Sequence, residues 1–126
     1  MTVRVVVADD QAPFRRAARS VLGADGEFEL VREVSSGEAA VAAARALQPD
    51  LVLLDIKMAG IGGIEAARAI AASVPRTATI LMSTYREEDL PAGALTCGAA
   101  GYLHKSELCG QALRELLATR SRTGRR

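Results

Sequence analysis

The sequence of 126 residues is poor in the side chains on which several kinds of site depend. It has no tryptophan and only four other aromatic residues, too few for a platform on which nucleic-acid bases could stack. One histidine, and two cysteines outside any metal-like spacing, give little basis for a histidine or cysteine metal site. No apolar run approaches the roughly 20 residues of a membrane span, and no secretory leader opens the chain. We therefore expect a cytoplasmic protein without membrane contact.

Charge is almost balanced, at a net +1, but it is unevenly distributed. The last seven residues carry +4, which leaves residues 1–119 at −3. The arginines responsible are Arg120, Arg122, Arg125 and Arg126. A basic end can contact nucleic acid, but this one lacks both periodicity and aromatic neighbours. We expect one domain over 1–119, then a basic tail or the start of a linker over 120–126, with no direct nucleic-acid binding by this chain.

Two kinds of apolar pattern alternate along the chain. Short runs typical of buried strands lie at Val3–Ala8, Phe28–Val34, Leu51–Leu54, Thr79–Met82 and Ala100–Leu103. Stretches with helical spacing lie between these runs and after the last one, such as the stripe that starts at Phe14. Five strands alternating with five helices predict an α/β fold, in which helices cover both faces of a single doubly wound parallel sheet.

Polar residues end the predicted strands. Asp9 and Asp10 follow the first strand, Asp55 the third, Ser83 the fourth and Lys105 the fifth. Each alone could cap a helix or begin a turn, but the carboxyl ends of such strands form the crevice where ligands bind. Three carboxylates at ~4–6 Å would repel one another by about 3–4 kcal/mol per pair. Mg²⁺, which prefers oxygen ligands and also binds phosphate, would relieve this repulsion.

Three stretches of sequence resemble the signature blocks of response-regulator receiver domains. They are Val7–Gln11, Asp50–Gly60 and Gly101–Lys105. The spacings agree as well, with 28 residues from Asp55 to Ser83 and 22 from Ser83 to Lys105. The resemblance covers residues 3 to about 119 and is closest to receivers that precede a C-terminal helix-turn-helix domain. It implies a flavodoxin-like three-layer sandwich with strand order 2-1-3-4-5.

The resemblance also implies a metal site. Asp10 and Asp55 would bind Mg²⁺ (or Mn²⁺) directly, together with the backbone carbonyl of Lys57. Asp9 would act mainly through water. No other cofactor is implied.

The resemblance implies phosphorelay signal transduction as the function. Asp55 would accept a phosphoryl group from a sensor histidine kinase, while Ser83 and Lys105 hold the phosphoryl oxygens. Tyr102 would be the switch aromatic whose rotamer follows Ser83. The chain would then be a phosphoacceptor switch with at most self-phosphorylation and autodephosphorylation, serving transcription if a DNA-binding domain follows.

Two other functions stay open. A pseudo-receiver would bind proteins without phosphoryl chemistry, although every chemical position here holds a competent residue. A phosphohydrolase with an aspartate nucleophile generally needs a second carboxylate two residues later, where this chain has Lys57.

Several positions depart from the family pattern. Ala59 replaces the usual proline after Met58 and is expected to loosen the loop that follows Asp55. Thr84 and Tyr85 occupy the places after Ser83 where members of the family vary most, and bulk there could slow access of water or phosphodonor. His104 stands where an apolar residue is usual.

The predicted fourth helix, over 86–98, contains Pro91 and Gly93. Inside a helix these residues cost about 3 and about 1 kcal/mol. We therefore expect a short helix that begins near Leu90, or one that is partly unwound before it. In the family this helix, the fifth strand and the fifth helix form the usual output face. A homodimer would use that face, or the first and fifth helices.

Overall fold

The computed structural model describes residues 2–123, apart from the side chains of Glu87 and of residues 120–123. Within this part of the chain, five strands alternate with four α-helices. The strands are β1 (Val3–Ala8), β2 (Phe28–Val34), β3 (Leu51–Asp55), β4 (Ala78–Ser83) and β5 (Gly101–His104). The helices are α1 (Ala12–Gly23), α2 (Gly37–Leu47), α3 (Gly62–Ser73) and α4 (Gly110–Thr123). Single 3-10 turns lie at Glu87–Asp89 and Lys105–Glu107.

The strands form one parallel sheet in the order β2-β1-β3-β4-β5, as the resemblance implied. On one face, Leu22 of α1 and Leu113 of α4 join the buried cluster. On the other face, Ala44 of α2 and Ile70 of α3 do the same. β3 is buried along its whole length because helices cover both of its sides. The result is the three-layer sandwich that was expected.

Local signals explain where two helices begin. Ser36 caps α2 by accepting a hydrogen bond of 3.1 Å from the amide of Ala39. Glu38 lies in the first turn of α2, where the helix dipole favours an acidic side chain. Pro13 lies in the first turn of α1, where its missing amide proton costs nothing.

The prediction of five helices was wrong, because residues 86–99 form no α-helix. The only helical turn in this stretch is Glu87–Asp89, so the expected start near Leu90 was also wrong. Gly93 and Gly98 have φ angles of 89° and 92°, which a right-handed helix cannot contain. The chain instead makes short turns, in which the amide of Ala94 donates to the carbonyl of Pro91.

The loop between β3 and α3 is attached to the start of α2. Ala59 forms a parallel bridge with Ser36, and its carbonyl accepts a hydrogen bond of 3.2 Å from Gly37. The carboxylate of Glu38 accepts another, of 3.3 Å, from the amide of Ile61. The loop that we expected Ala59 to loosen is therefore hydrogen-bonded to α2 on both sides of Gly60, through Ala59 and Ile61.

The last helix extends to Thr123, four residues beyond the predicted domain boundary at residue 119. Residues 124–126, with Arg125 and Arg126, lie outside the described residues. The basic tail therefore stays a prediction. No helix within residues 2–123 is long and apolar enough to cross a bilayer.

Gly63 offers a test of how closely α3 packs against β3. A methyl group at this position would lie 2.3 Å from the backbone oxygen of Asp55, and main-chain atoms cannot rotate away. We expect Gly63→Ala to lower the free energy of unfolding by about 1–3 kcal/mol, measured by urea denaturation. At Gly23, the end of α1, nothing lies within 4 Å of such a methyl group. Gly23→Ala is the matched control and should be neutral or slightly stabilising, so equal losses in the two variants would contradict this packing.

Amide hydrogen exchange tests the missing helix. Because residues 90–99 have only isolated turn hydrogen bonds, their amides should exchange much faster than those of α3 at positions 66–73. A continuous block of protected amides over 90–98 would show that a helix forms there after all.

Candidate functional site

Three carboxylates meet at the carboxyl ends of β1 and β3. Asp55 is the last residue of β3, and Asp9 and Asp10 directly follow β1. One oxygen from each of the three lies within 4.8 Å of the others. Asp9 is completely buried and Asp55 is 5% exposed, whereas Asp10 faces solvent. The structure therefore brings together the acidic residues that the sequence placed on one rim.

Lys105 inserts its ammonium group between the two buried carboxylates. Its Nζ lies 2.6 Å from Oδ2 of Asp9 and 3.4 Å from Oδ2 of Asp55. The approach to Asp9 lacks hydrogen-bond geometry, and this Oδ2 has no hydrogen-bond partner among the described residues. The ring of Phe14 lies 4.4 Å from the same ammonium, at cation–π distance. One positive charge thus serves two buried negative charges.

Two residues at the start of α1 support the site in ways that the sequence did not reveal. Phe14 was expected only as part of an apolar stripe, yet it also packs on the ammonium of Lys105. Arg15 donates a hydrogen bond of 2.7 Å to the backbone carbonyl of Asp9. Their position in the sequence could have indicated this role, because α1 starts immediately after the acidic pair and its first turn must lie over the crevice.

Burial and a neighbouring charge disturb the titration of Asp55. Its pKa is raised from 3.8 to about 6, first because burial disfavours the charged form and second because of repulsion by Asp9. The ammonium of Lys105 and a hydrogen bond from the backbone amide of Lys57 lower the pKa, but they do not compensate. A carboxylate that is this costly to ionise needs additional positive charge.

The residues present fit a divalent cation. The three converging side chains offer only carboxylate oxygens, the ligand type that Mg²⁺ prefers. The single ammonium of Lys105 is shared between Asp9 and Asp55, and the exposed Asp10 leaves one side open to solvent for water ligands. Lys57 lies at the edge of the same cavity. Its backbone amide faces Asp55, and participation of its carbonyl stays a prediction.

Ser83 lies at the end of β4 and is almost fully buried. Its Oγ accepts a hydrogen bond of 3.0 Å from the amide of Tyr85 and lies 3.1 Å from Oη of Tyr102. Oη of Tyr102 also contacts the carbonyl of Ser83 at 3.3 Å and donates to the carbonyl of Tyr85. The predicted switch pair is therefore in direct contact.

A cavity of about 370 Å³ opens above these groups. Its lining consists of Asp10, Gln11, Asp55, Lys57, Ser83, Thr84, Tyr85 and Lys105. Asp9 does not line the cavity, because it is completely buried and pairs with Lys105. The cavity thus brings together the carboxylate of Asp55, the ammonium of Lys105 and the hydroxyl of Ser83, which the sequence placed at one site.

The pKa of Asp55 predicts a stability that falls as pH rises in the absence of metal. Between about pH 4 and pH 6 the folded chain keeps the Asp55 proton that the unfolded chain has lost, so raising the pH favours unfolding. Asp55→Asn should match the wild type near pH 4. At pH 7 it should be more stable by about 1–2 kcal/mol, which allows for water in the open cavity.

Urea denaturation in EDTA across this pH range measures the effect. Asp89→Asn, an exposed carboxylate outside the site, is the control and should follow the wild type. Excess Mg²⁺ should shrink the difference, because a bound cation favours the ionised carboxylate. Parallel pH profiles for wild type and Asp55→Asn would contradict the shifted pKa.

Comparison with known proteins supports the same reading. Residues 5–117 match the family model of the response regulator receiver domain. The chain is 38% identical over 103 residues to response regulator GacA of Pseudomonas viridiflava, covering 82% of this chain and 48% of that protein. It is 40% identical over 103 residues to response regulator UvrY of Escherichia coli K12, covering 82% and 47%. The chain thus spans about half the length of these relatives.

A solved structure shows the same fold. The two-component response regulator of the LuxR family from Aurantimonas sp. SI85-9A1 superposes with a TM-score of 0.84 at 27% identity. The match covers 94% of this chain and 86% of that one. Its family agrees with the class that the sequence motifs indicated. This chain belongs to the family of response regulator receiver domains, the signalling modules of two-component systems.

Proposed function

We propose that this chain is a Mg²⁺-dependent phosphorelay switch in which Asp55 accepts a phosphoryl group from a sensor histidine kinase in the cytoplasm. The observation that carries the proposal is the position of Asp55. It is a nearly buried carboxylate at the mouth of a cavity, with Lys105 3.4 Å away and two further carboxylates beside it. Phosphoryl transfer depends mainly on positioning and on charge neutralisation, and this arrangement provides groups for both.

Asp55 supplies the nucleophile. One of its oxygens attacks phosphorus while the bond from phosphorus to the leaving nitrogen of a phosphohistidine breaks, and the imidazole keeps that electron pair. The attack requires ionised Asp55, and further positive charge beside the carboxyl favours that form, because burial and Asp9 raise its pKa. Asp9, Asp10 and Asp55, with the carbonyl of Lys57, would hold Mg²⁺. When bound, the cation would supply that charge and neutralise phosphoryl oxygens.

Lys105 changes partners in this scheme. In the structure its ammonium is shared between Asp9 and Asp55. With a divalent cation held by the carboxylates, the ammonium could move to a phosphoryl oxygen on Asp55 over a short distance. Lysine suits this role because its charge is compact and its stem is flexible. The ring of Phe14 limits how far that stem can swing.

The hydroxyl protons at Ser83 and Tyr102 explain how the switch would work. Tyr102 has one proton, and its closest acceptor is the carbonyl of Tyr85. Ser83 must therefore donate its own proton to Oη of Tyr102 in their 3.1 Å contact. A phosphoryl oxygen on Asp55 would compete for that same proton. If Ser83 turns toward phosphate, Tyr102 loses its partner and is free to reorient.

The surface that responds would include β5, which contains Tyr102, and residues 86–99, which directly follow Tyr85. Dimerisation through this surface and α4, or through α1 and α4, stays part of the proposal. So does regulation of transcription, because the match covers only 48% of a relative such as GacA. A second reading, a pseudo-receiver that binds proteins without phosphorylation, has no observation in its favour, since each predicted chemical position holds a competent residue.

Phosphorylation can be measured directly. Incubation with a small acyl phosphate and Mg²⁺ should add the mass of one phosphoryl group to the wild type, read by intact mass spectrometry. Asp55→Ala should gain nothing, because no other carboxylate has the same approach to Lys105 from the open cavity. EDTA should reduce the gain at least about tenfold, as expected when most of the charge neutralisation is lost.

Asp89→Ala removes an exposed carboxylate outside the cavity and should be phosphorylated like the wild type. An unmodified wild type would favour the pseudo-receiver. Equal modification of wild type and Asp55→Ala would show that the acceptor has been misassigned.

A further inference from the structure

His104 forms a connection for which the proposed chemistry has not yet accounted. The residue is the last of β5, and its Cα pairs with that of Ser83 at the end of β4. Its Nε2 lies 3.2 Å from the backbone carbonyl of Thr84. Its Nδ1 lies 2.7 Å from Oγ of Ser106 and accepts a hydrogen bond of 3.2 Å from the amide of Ser106. One half-buried ring thus bonds to the residue after Ser83 and to the residue after Lys105.

These contacts determine the tautomer of the ring. The amide of Ser106 can only donate, so Nδ1 must be unprotonated. The single ring proton therefore lies on Nε2, where it can be donated to the carbonyl of Thr84. In this tautomer both ring nitrogens are hydrogen-bonded: Nε2 donates to Thr84, and Nδ1 accepts from Ser106.

The position of this ring matters because the β4–β5 ladder ends here. Ser83 and His104 are its last pair. Beyond them, the segment that follows β4 is irregular, and the segment that follows β5 forms a 3-10 turn. Lys105 lies in that turn, whereas Ser83 is the last residue of β4. Backbone hydrogen bonds no longer fix the distance between their two segments. The Nε2 contact to Thr84 spans this gap by means of a side chain.

Side chains of β5 contact three successive carbonyls, beginning with that of Ser83, the last residue of β4. Tyr102 contacts those of Ser83 and Tyr85, and His104 contacts the one of Thr84 between them. Tyr102 and His104 are two residues apart on one strand, so they project from the same face. In the proposed switch Tyr102 must leave. The contact of His104 is the one that can persist while Ser83 and Lys105 hold the phosphoryl group.

We propose that His104 is a positioning residue for phosphoryl transfer, which ties the end of β4 to the start of the Lys105–Glu107 turn and so fixes the spacing between Ser83 and Lys105. The inference rests on the proposed function of Asp55. The residue touches neither the acceptor nor the cation site, so it acts through Ser83 and Lys105 rather than through the carboxylates. Its loss should therefore change the transfer rate and leave metal affinity unchanged.

Three substitutions separate the two nitrogens of the ring. His104→Leu removes both hydrogen bonds, His104→Asn keeps an acceptor near the Nδ1 position, and His104→Gln keeps a donor near the Nε2 position. The maximal rate with a small acyl phosphate at saturating concentration should fall about fivefold to tenfold in His104→Leu and in His104→Asn. His104→Gln should recover most of the wild-type rate, because it can still reach Thr84.

Mg²⁺ affinity, measured by calorimetry, and the urea midpoint distinguish positioning from a general loss of structure. Both should stay close to wild type in His104→Gln and His104→Asn. Glu107→Gln, a change on the same surface cavity, is the control and should keep the wild-type rate.

Two different failures can be recognised. A wild type that gains no phosphoryl mass would mean that the proposed function has failed. If the wild type is phosphorylated and the rate of His104→Leu lies within about twofold of the wild-type rate, only this inference is overturned. A loss of Mg²⁺ affinity parallel to the loss of rate would also overturn it. The same holds if His104→Asn, rather than His104→Gln, recovers the wild-type rate.

Discussion

Repulsion among carboxylates at one edge of the sheet is the constraint on which the rest of the structure depends. Asp9 and Asp55 are both nearly buried and share a single ammonium, that of Lys105. Apolar packing on both faces of the sheet holds these groups in place and prevents them from moving apart. The fold thus maintains an arrangement that is electrostatically unfavourable by itself. A divalent cation would make it favourable by supplying the missing positive charge.

The sequence predicted most of the fold because its signals were local and agreed with one another. The buried runs, including the one that starts at Leu51, became strands within one residue of their predicted limits. The convergence of Asp9, Asp55, Ser83 and Lys105 required no knowledge of packing. Parallel strands bring their carboxyl ends to one edge, so the position of each residue in its strand was enough.

Other features depended on three-dimensional detail that the sequence does not carry. Pro91 and Gly93 indicated a weakened helix, but only the φ angles of Gly93 and Gly98 show that no α-helix forms. The packing of Phe14 on Lys105 depends on how closely α1 lies over the crevice. His104 differed from the family pattern, yet its partners Thr84 and Ser106 lie on separate segments that only the folded chain brings together.

The irregular stretch at residues 90–99 has an evolutionary consequence. A helix constrains its residues to a periodic pattern, because one face must match the core at every turn. Here Ala94 and Cys97 are buried, while Leu95 is 79% exposed, so few positions are committed to packing. Irregular segments tolerate substitution and changes of length better than helices do. We therefore expect homologues to diverge more in this stretch than at the sheet edge, where buried charged groups constrain each position.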